Sequence, residues 1–114
     1  MPKSDLSIVS AEGTWVVRAG GAVIGESDRA LSLVEDDGPA VIYFPRDDLA
    51  LPFIEGSGRT AESRALGNAR LFSIVTGAGV IEDAAWSYES PRAGAERIAG
   101  HIAFDSRRVA VEGV

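Results

Sequence analysis

The sequence predicts a mainly β fold with one short helix: a single compact domain of antiparallel hairpins forming a sandwich or barrel-like pair of sheets. Three observations predict it. Short apolar stretches recur along all 114 residues, each stopped by glycine, proline or aspartate, as the strands of a sandwich or barrel are. Two glycine-rich breaks lie between such stretches at hairpin spacing. A chain of this length buries about two thirds of its unfolded surface, enough for a core without cross-links, and it has no cysteine.

Residues 1–10 read as a loosely held arm ahead of a domain over 11–114. Trp15-Val16-Val17-Arg18 and Ala22-Val23-Ile24 flank Gly20-Gly21, a hairpin turn. Ala30 to Glu35 alternates as a half-buried strand does, and Asp36-Asp37-Gly38-Pro39 stops it. Ala40 to Phe44 is a further strand, closed by Pro45, which cannot donate to a ladder. Together these suggest a β-meander. From Arg46 to Gly67 the pattern weakens, broken by Pro52 and Gly56-Ser57-Gly58, and this stretch reads as the functional loop. Arg70 to Val75 and Val80 to Asp83 flank Thr76-Gly77-Ala78-Gly79, the second hairpin. The helix is placed near residues 91–99, with Ser90 as cap, Pro91 in the first position and Gly100 past the end. His101 to Phe104 and Val109 to Glu112 read as a closing strand pair around Asp105-Ser106-Arg107-Arg108.

The net charge of -6 is unevenly spread. Between Glu26 and Glu55 eight acids face two bases, which accounts for all of it; the rest of the chain balances. An acidic domain repels the phosphate backbone, so no nucleic-acid role is expected. From Gly56 to Ile81, however, Arg59, Arg64 and Arg70 outnumber Glu62, a local excess suited to an anionic ligand. Without cysteine and with His101 as the one histidine, sulfur-based zinc sites and multi-histidine sites are excluded. Asp36-Asp37-Gly38 and Asp47-Asp48 lack the spacing of a calcium loop, so no metal and no cofactor is expected. The opening residues are polar and no window approaches a membrane span, so a cytoplasmic location without membrane contact is expected.

Three blocks carry a family resemblance: Tyr43-Phe44-Pro45-Arg46-Asp47-Asp48, Asp83-Ala84-Ala85-Trp86-Ser87-Tyr88-Glu89-Ser90-Pro91, and Ile98-Ala99-Gly100-His101-Ile102-Ala103-Phe104. With Ala22 to Leu33, they run in the order seen in the DUF427 family of small, mostly bacterial proteins, which the chain resembles from about Trp15 to Glu112. The family is named for its unknown function and sometimes carries a nucleotidyltransferase-like label. After Thr60, family members commonly carry Cys-Pro-aromatic-Lys-Gly, whereas this chain has Ala61-Glu62-Ser63-Arg64-Ala65-Leu66-Gly67. Activity resting on that thiol or amine does not carry over. Gly56-Ser57 is present, yet no Asp-x-Asp follows it to hold Mg²⁺ on a triphosphate.

The resemblance and the irregular loop together place Tyr43, Arg46, Arg59, Thr60, Arg64, Trp86 and Tyr88 around one cleft. Aromatic faces stack on planar or cationic ligands, and guanidinium groups grip carboxylates or phosphates. The expected function is therefore a binding module for a small polar or anionic metabolite, with a small anionic or planar ligand as its expected partner. Two other classes stay open: an enzyme on nucleotide or phosphate-bearing substrates, with Asp83 or Glu89 as acid-base and arginines as clamps, and a structural or interaction protein. His101, four residues from Asp105, is the third catalytic candidate, although no Gly-x-Ser-x-Gly elbow accompanies it.

Overall fold

A computed structural model describes residues 5–114. Its strands are β1 (Leu6–Ser10), β2 (Trp15–Ala19), β3 (Ala22–Ser27), β4 (Leu31–Glu35) and β5 (Val41–Phe44), followed by β6 (Ile54–Ser63), β7 (Gly67–Thr76), β8 (Gly79–Ser87), β9 (Ile102–Phe104) and β10 (Ala110–Gly113). They form two antiparallel sheets, one of seven strands in the order β1-β4-β5-β9-β8-β7-β6 and one of three in the order β10-β2-β3. The mainly β expectation holds.

Both glycine breaks close hairpins. Gly20 and Gly21 turn β2 into β3 at φ +55 and +78, the double positive φ that matches strand twist. A Cβ on Gly20 would also strike the Thr76 side chain, because the tip of this hairpin abuts the tip of β7 and β8. There Thr76 Oγ1 accepts from the Ala78 amide at 3.1 Å.

Four expectations are corrected. No α-helix forms over 91–99: among the described residues the chain has only 3-10 turns, here Glu96–Ile98. Gly94 at φ +96 breaks the run, and the amides of Ala95, Ile98, Ala99 and His101 each bond three residues back. What the segment achieves is burial of Ala95 and Ile98, both fully covered. Secondly, the stretch from Arg46 to Gly67 is not one loop. It holds 3-10 turns at Arg46–Asp48 and Leu51–Phe53, then the ten-residue strand β6. Strand β6 is an edge with few apolar residues, and a bulge between Gly56 and Thr60 interrupts its pairing with β7, so it never shows a strand's alternation. Thirdly, β9 and β10 do not pair with each other. Asp105 accepts from the Arg107 amide and the Arg108 Nε, and that turn sends the chain from the large sheet to the small one. Finally, β3 and β4 lie in different sheets, so no meander runs through them. Of the residues 1–10, those in Leu6–Ser10 pair with β4 at the sheet edge, and 1–4 lie outside the described residues.

The large sheet is covered on two faces. On the inner face, Val17, Ala19 and Ile24 of the small sheet pack on Phe44, Phe72, Ile74, Ala85 and Phe104. On the outer face, Leu31, Leu33, Tyr43, Ala69 and Ala103 meet Tyr88, Ala95 and Ile98 of the segment that leads from β8 to β9. No helix of the described residues is long and apolar enough to cross a membrane.

Candidate functional site

Register places the aromatic residues. Leu31, Tyr43, Ala103, Trp86 and Leu71 form one cross-strand row over β4, β5, β9, β8 and β7, and cross-strand partners share a face. Ala103 is small, so Tyr43 and Trp86 meet across it: the Trp86 Nε1 donates to the Tyr43 hydroxyl at 3.2 Å. Tyr88, two residues past Trp86, joins the same face. Together with Leu33, Val41 and Leu66 these side chains wall an open cavity of about 370 Å³, with Glu35, Asp36 and Ser63 at its rim. Three of the expected residues, Tyr43, Trp86 and Tyr88, are thus brought together.

Tyr43 is buried, and burial pushes its phenol well above the ordinary tyrosine value, the Trp86 hydrogen bond offsetting part of this. Tyr88 shifts the same way, also through burial. A raised tyrosine pKa means that the unfolded chain ionises first. The contribution is complete below about pH 10 and is lost as pH rises above it, by about 1.4 kcal/mol per pH unit for each group that stays protonated in the fold. Urea unfolding as a function of pH is expected to show this alkaline loss, with a shallower slope in Tyr43→Phe. An equal slope in that variant would refute the assignment.

Arg46 is not in the cavity. Its Nε donates to the Gly100 carbonyl at 2.6 Å, and its Nη2 donates to Glu89 Oε2 at 2.7 Å and Ser87 Oγ at 3.2 Å. Its guanidinium lies 5.5 Å from the centroid of Phe72, an inner-face residue. The motif arginine is a fastener that ties the end of β5 to the end of β8 and to the entry of β9. Glu89 is its partner, and Ser87 also donates to that carboxylate at 2.7 Å.

Arg59, Thr60 and Arg64 lie apart from the cavity's aromatic walls. Arg59 sits in the β6 bulge and its Nε donates to Asp83 Oδ2 at 2.6 Å. Thr60 is exposed opposite Arg70, and Arg64 is exposed in the turn between β6 and β7, next to rim residue Ser63. Asp83 takes a left-handed φ of +51, which aspartate tolerates better than most residues, and its amide donates to Ser73 Oγ at 3.2 Å. Ser57 and Arg59 hold its carboxyl below the usual range. The Ser57 hydroxyl donates to the Leu71 carbonyl at 3.3 Å, and the buried Asp83 Oδ1 has no hydrogen-bond partner among the described residues. Asp83 and Glu89 therefore serve separate ion pairs. His101 Nδ1 is 3.2 Å from the Ala99 carbonyl, and Asp105 is engaged by Arg107 and Arg108, so no Ser-His-Asp arrangement exists among the described residues. Nor do three or more His, Asp or Glu residues converge as a metal site among them.

The match to the family model for "Domain of unknown function (DUF427)" spans residues 7–114. The chain belongs to the DUF427 family. No curated protein matches it. In this DUF427 chain the three motif blocks converge on one region of the sheet: Tyr43 and Phe44 on β5, Trp86 on β8 and Ala103 on β9 are register neighbours. Leu33, Val41, Leu66 and Glu35 were not anticipated around the cavity. Leu33 and Val41 are cross-strand partners, and Val41 lies two residues before Tyr43, a period-two signal that the sequence did carry.

Proposed function

We propose that this DUF427 chain is a binding module for a small planar ligand, neutral or cationic, held at the Tyr43, Trp86 and Tyr88 cavity. The observation that carries this reading is the convergence of three aromatic side chains from β5 and the end of β8 around a space of about 370 Å³, within the size range of small-molecule sites. Aromatic faces attract planar and cationic groups, and the acids at the rim, Glu35 and Asp36, favour the same sign. An anionic ligand finds no arginine among these walls, since Arg46 and Arg59 serve ion pairs elsewhere.

Adenosine, tryptamine and benzoate are suitable neutral, cationic and anionic planar probes in a thermal-shift experiment. Adenosine or tryptamine is expected to stabilise the fold, by about 2.7 kcal/mol at a hundredfold excess over Kd, and benzoate is not. Trp86→Ala should lose the shift, as should Ser63→Trp, which fills the rim without removing an aromatic wall; Arg59→Ala should keep it. A shift that survives both cavity variants, or a preference for benzoate, would overturn the reading.

A further inference from the structure

The inter-sheet core has an uncovered end. The ladder between β5 and β9 holds only two pairs, Tyr43 with Ala103 and Phe44 with Ile102, so the start of β5 is unpaired on that side, and after Phe104 the Asp105 turn leaves for the small sheet. Trp15 of β2, Ile42 of β5 and Val111 of β10 are the half-buried fringe of the core. With Phe104 they line a cavity of about 480 Å³. It is a separate space from the outer cavity: Trp86 and Val41 border both, and most of the remaining walls belong to opposite faces of the large sheet.

The walls and the mouth of this space differ in chemistry. Both indole N–H groups are already committed, that of Trp15 to the Glu12 carbonyl at 3.1 Å and that of Trp86 to the Tyr43 hydroxyl at 3.2 Å, so neither ring offers it a donor. Ile42, Phe104 and Val111 add only carbon. Among the described residues Asp105 and Arg107 are the only charged side chains lining it. Asp105 is already satisfied by Arg108 Nε at 2.9 Å and the Arg107 amide at 3.0 Å, and the terminal nitrogens of Arg108 go on to the carbonyls of Glu82 and Asp83. Arg107 is left over. Its side chain is 90% exposed and reaches Asp105 only through Nε at 3.4 Å, so the rest of its fork of N–H donors is open to an outside carboxylate, with Ser106 beside it at the same mouth.

We propose that this inter-sheet cavity binds a medium-chain aliphatic carboxylate, its chain against Trp15, Ile42 and Val111 and its carboxylate on Arg107 and Ser106. An apolar hollow with a few polar groups at its mouth is the form that small-molecule sites take. Burial favours length, since each methylene removed from water is worth about fourfold in affinity, and a flexible chain follows the uneven wall that the branched side chains make. Benzoate is too short to use the space. The site is independent of the outer cavity and of the planar ligand proposed there.

Calorimetric titration tests it with butanoate, hexanoate and octanoate as a length series, and with octylammonium and octanol as changes of head group. Affinity is expected to rise about fourfold per added methylene, and octanoate to bind about three- to fivefold tighter than octylammonium, the upper range for a solvent-exposed ion pair. Arg107→Ala should remove that preference and leave octanol unchanged. Ala40→Trp, at an exposed position on the rim, fills the space without removing a wall and should abolish octanoate binding. Ser63→Trp, which closes the outer cavity, should leave octanoate binding intact, and the tryptamine response should survive Ala40→Trp, so that the two sites fail separately. No octanoate binding, equal affinity along the length series, or binding that persists in Ala40→Trp overturns the site. A head-group preference that persists in Arg107→Ala overturns the placement of the carboxylate.

Discussion

Phe44→Ala is expected to destabilise the fold by about 3–5 kcal/mol, the range for deleting a buried aromatic side chain. Phe44 is wholly covered, and it sits where the two sheets meet, packed with residues of both. Its ring stands edge-on to Phe104, with centroids 5.7 Å apart and planes at 78°, a geometry that adds to area burial alone. No neighbouring side chain is free to fill the space, because the residues around it are themselves buried on short strands. With total stability of about 5–15 kcal/mol for a domain of this kind, the variant would be close to the limit of folding. Urea denaturation of Phe44→Ala and of the milder Phe44→Leu gives the series, and a loss below about 1 kcal/mol in the alanine variant would show that this residue is not the centre of the inter-sheet core.

Arg46→Ala is expected to cost about 2–3 kcal/mol. The substitution removes three hydrogen bonds and the contact with Phe72, and bonds involving a charged group are worth about 1.5–3 kcal/mol when partly shielded. The arginine side chain is 32% exposed and Glu89 43%, so the ion pair alone supplies only a small part. The larger part comes from the Gly100 carbonyl, which loses its 2.6 Å partner. Lysine should not rescue, since one ammonium cannot replace the fork that reaches Gly100, Ser87 and Glu89 together. A double-mutant cycle with Glu89→Gln checks the arrangement; additive effects would mean that the two side chains are not coupled. Because the proposed ligand lies on the opposite face of the sheet, a folded Arg46→Ala protein should still respond to tryptamine.

How far the sequence carried depends on what each residue's signal was. The hairpin at Gly20-Gly21 was legible because glycine supplies positive φ cheaply between apolar runs, and the one at Gly77-Ala78 because a glycine-rich break of two residues separates two apolar runs. Strand β6 was not, since an exposed edge strand with Glu55, Ser57, Arg59 and Glu62 has neither face to mark apolar. The helix near 91–99 was expected from Ser90, Pro91 and Gly100, and the φ of Gly94 outweighed them. For the site, aromatic residues and arginines were grouped by chemistry, whereas strand parity separates them. Tyr43 and Phe44 point to opposite faces of β5, as do Trp86 and Ser87 on β8, and Arg46 reaches for Ser87. Counting by two from Tyr43 and from Trp86 picks out the cavity; counting from Phe44 and Ser87 picks out the fastener.

The placement of β9 has a kinetic meaning. Strands β1, β4 and β5 form one half of the large sheet and β6, β7 and β8 the other, each half built largely from neighbours in sequence. Among the described residues, the backbone ladder between the halves runs only through residues 102–104, which emerge from the ribosome after both. Until then β5 and β8 present open edges, the surfaces on which chains pair wrongly with one another. The three-residue strand Ile102–Phe104 covers both of these edges at once, so a chain ending before it is expected to leave β5 and β8 open to wrong pairing.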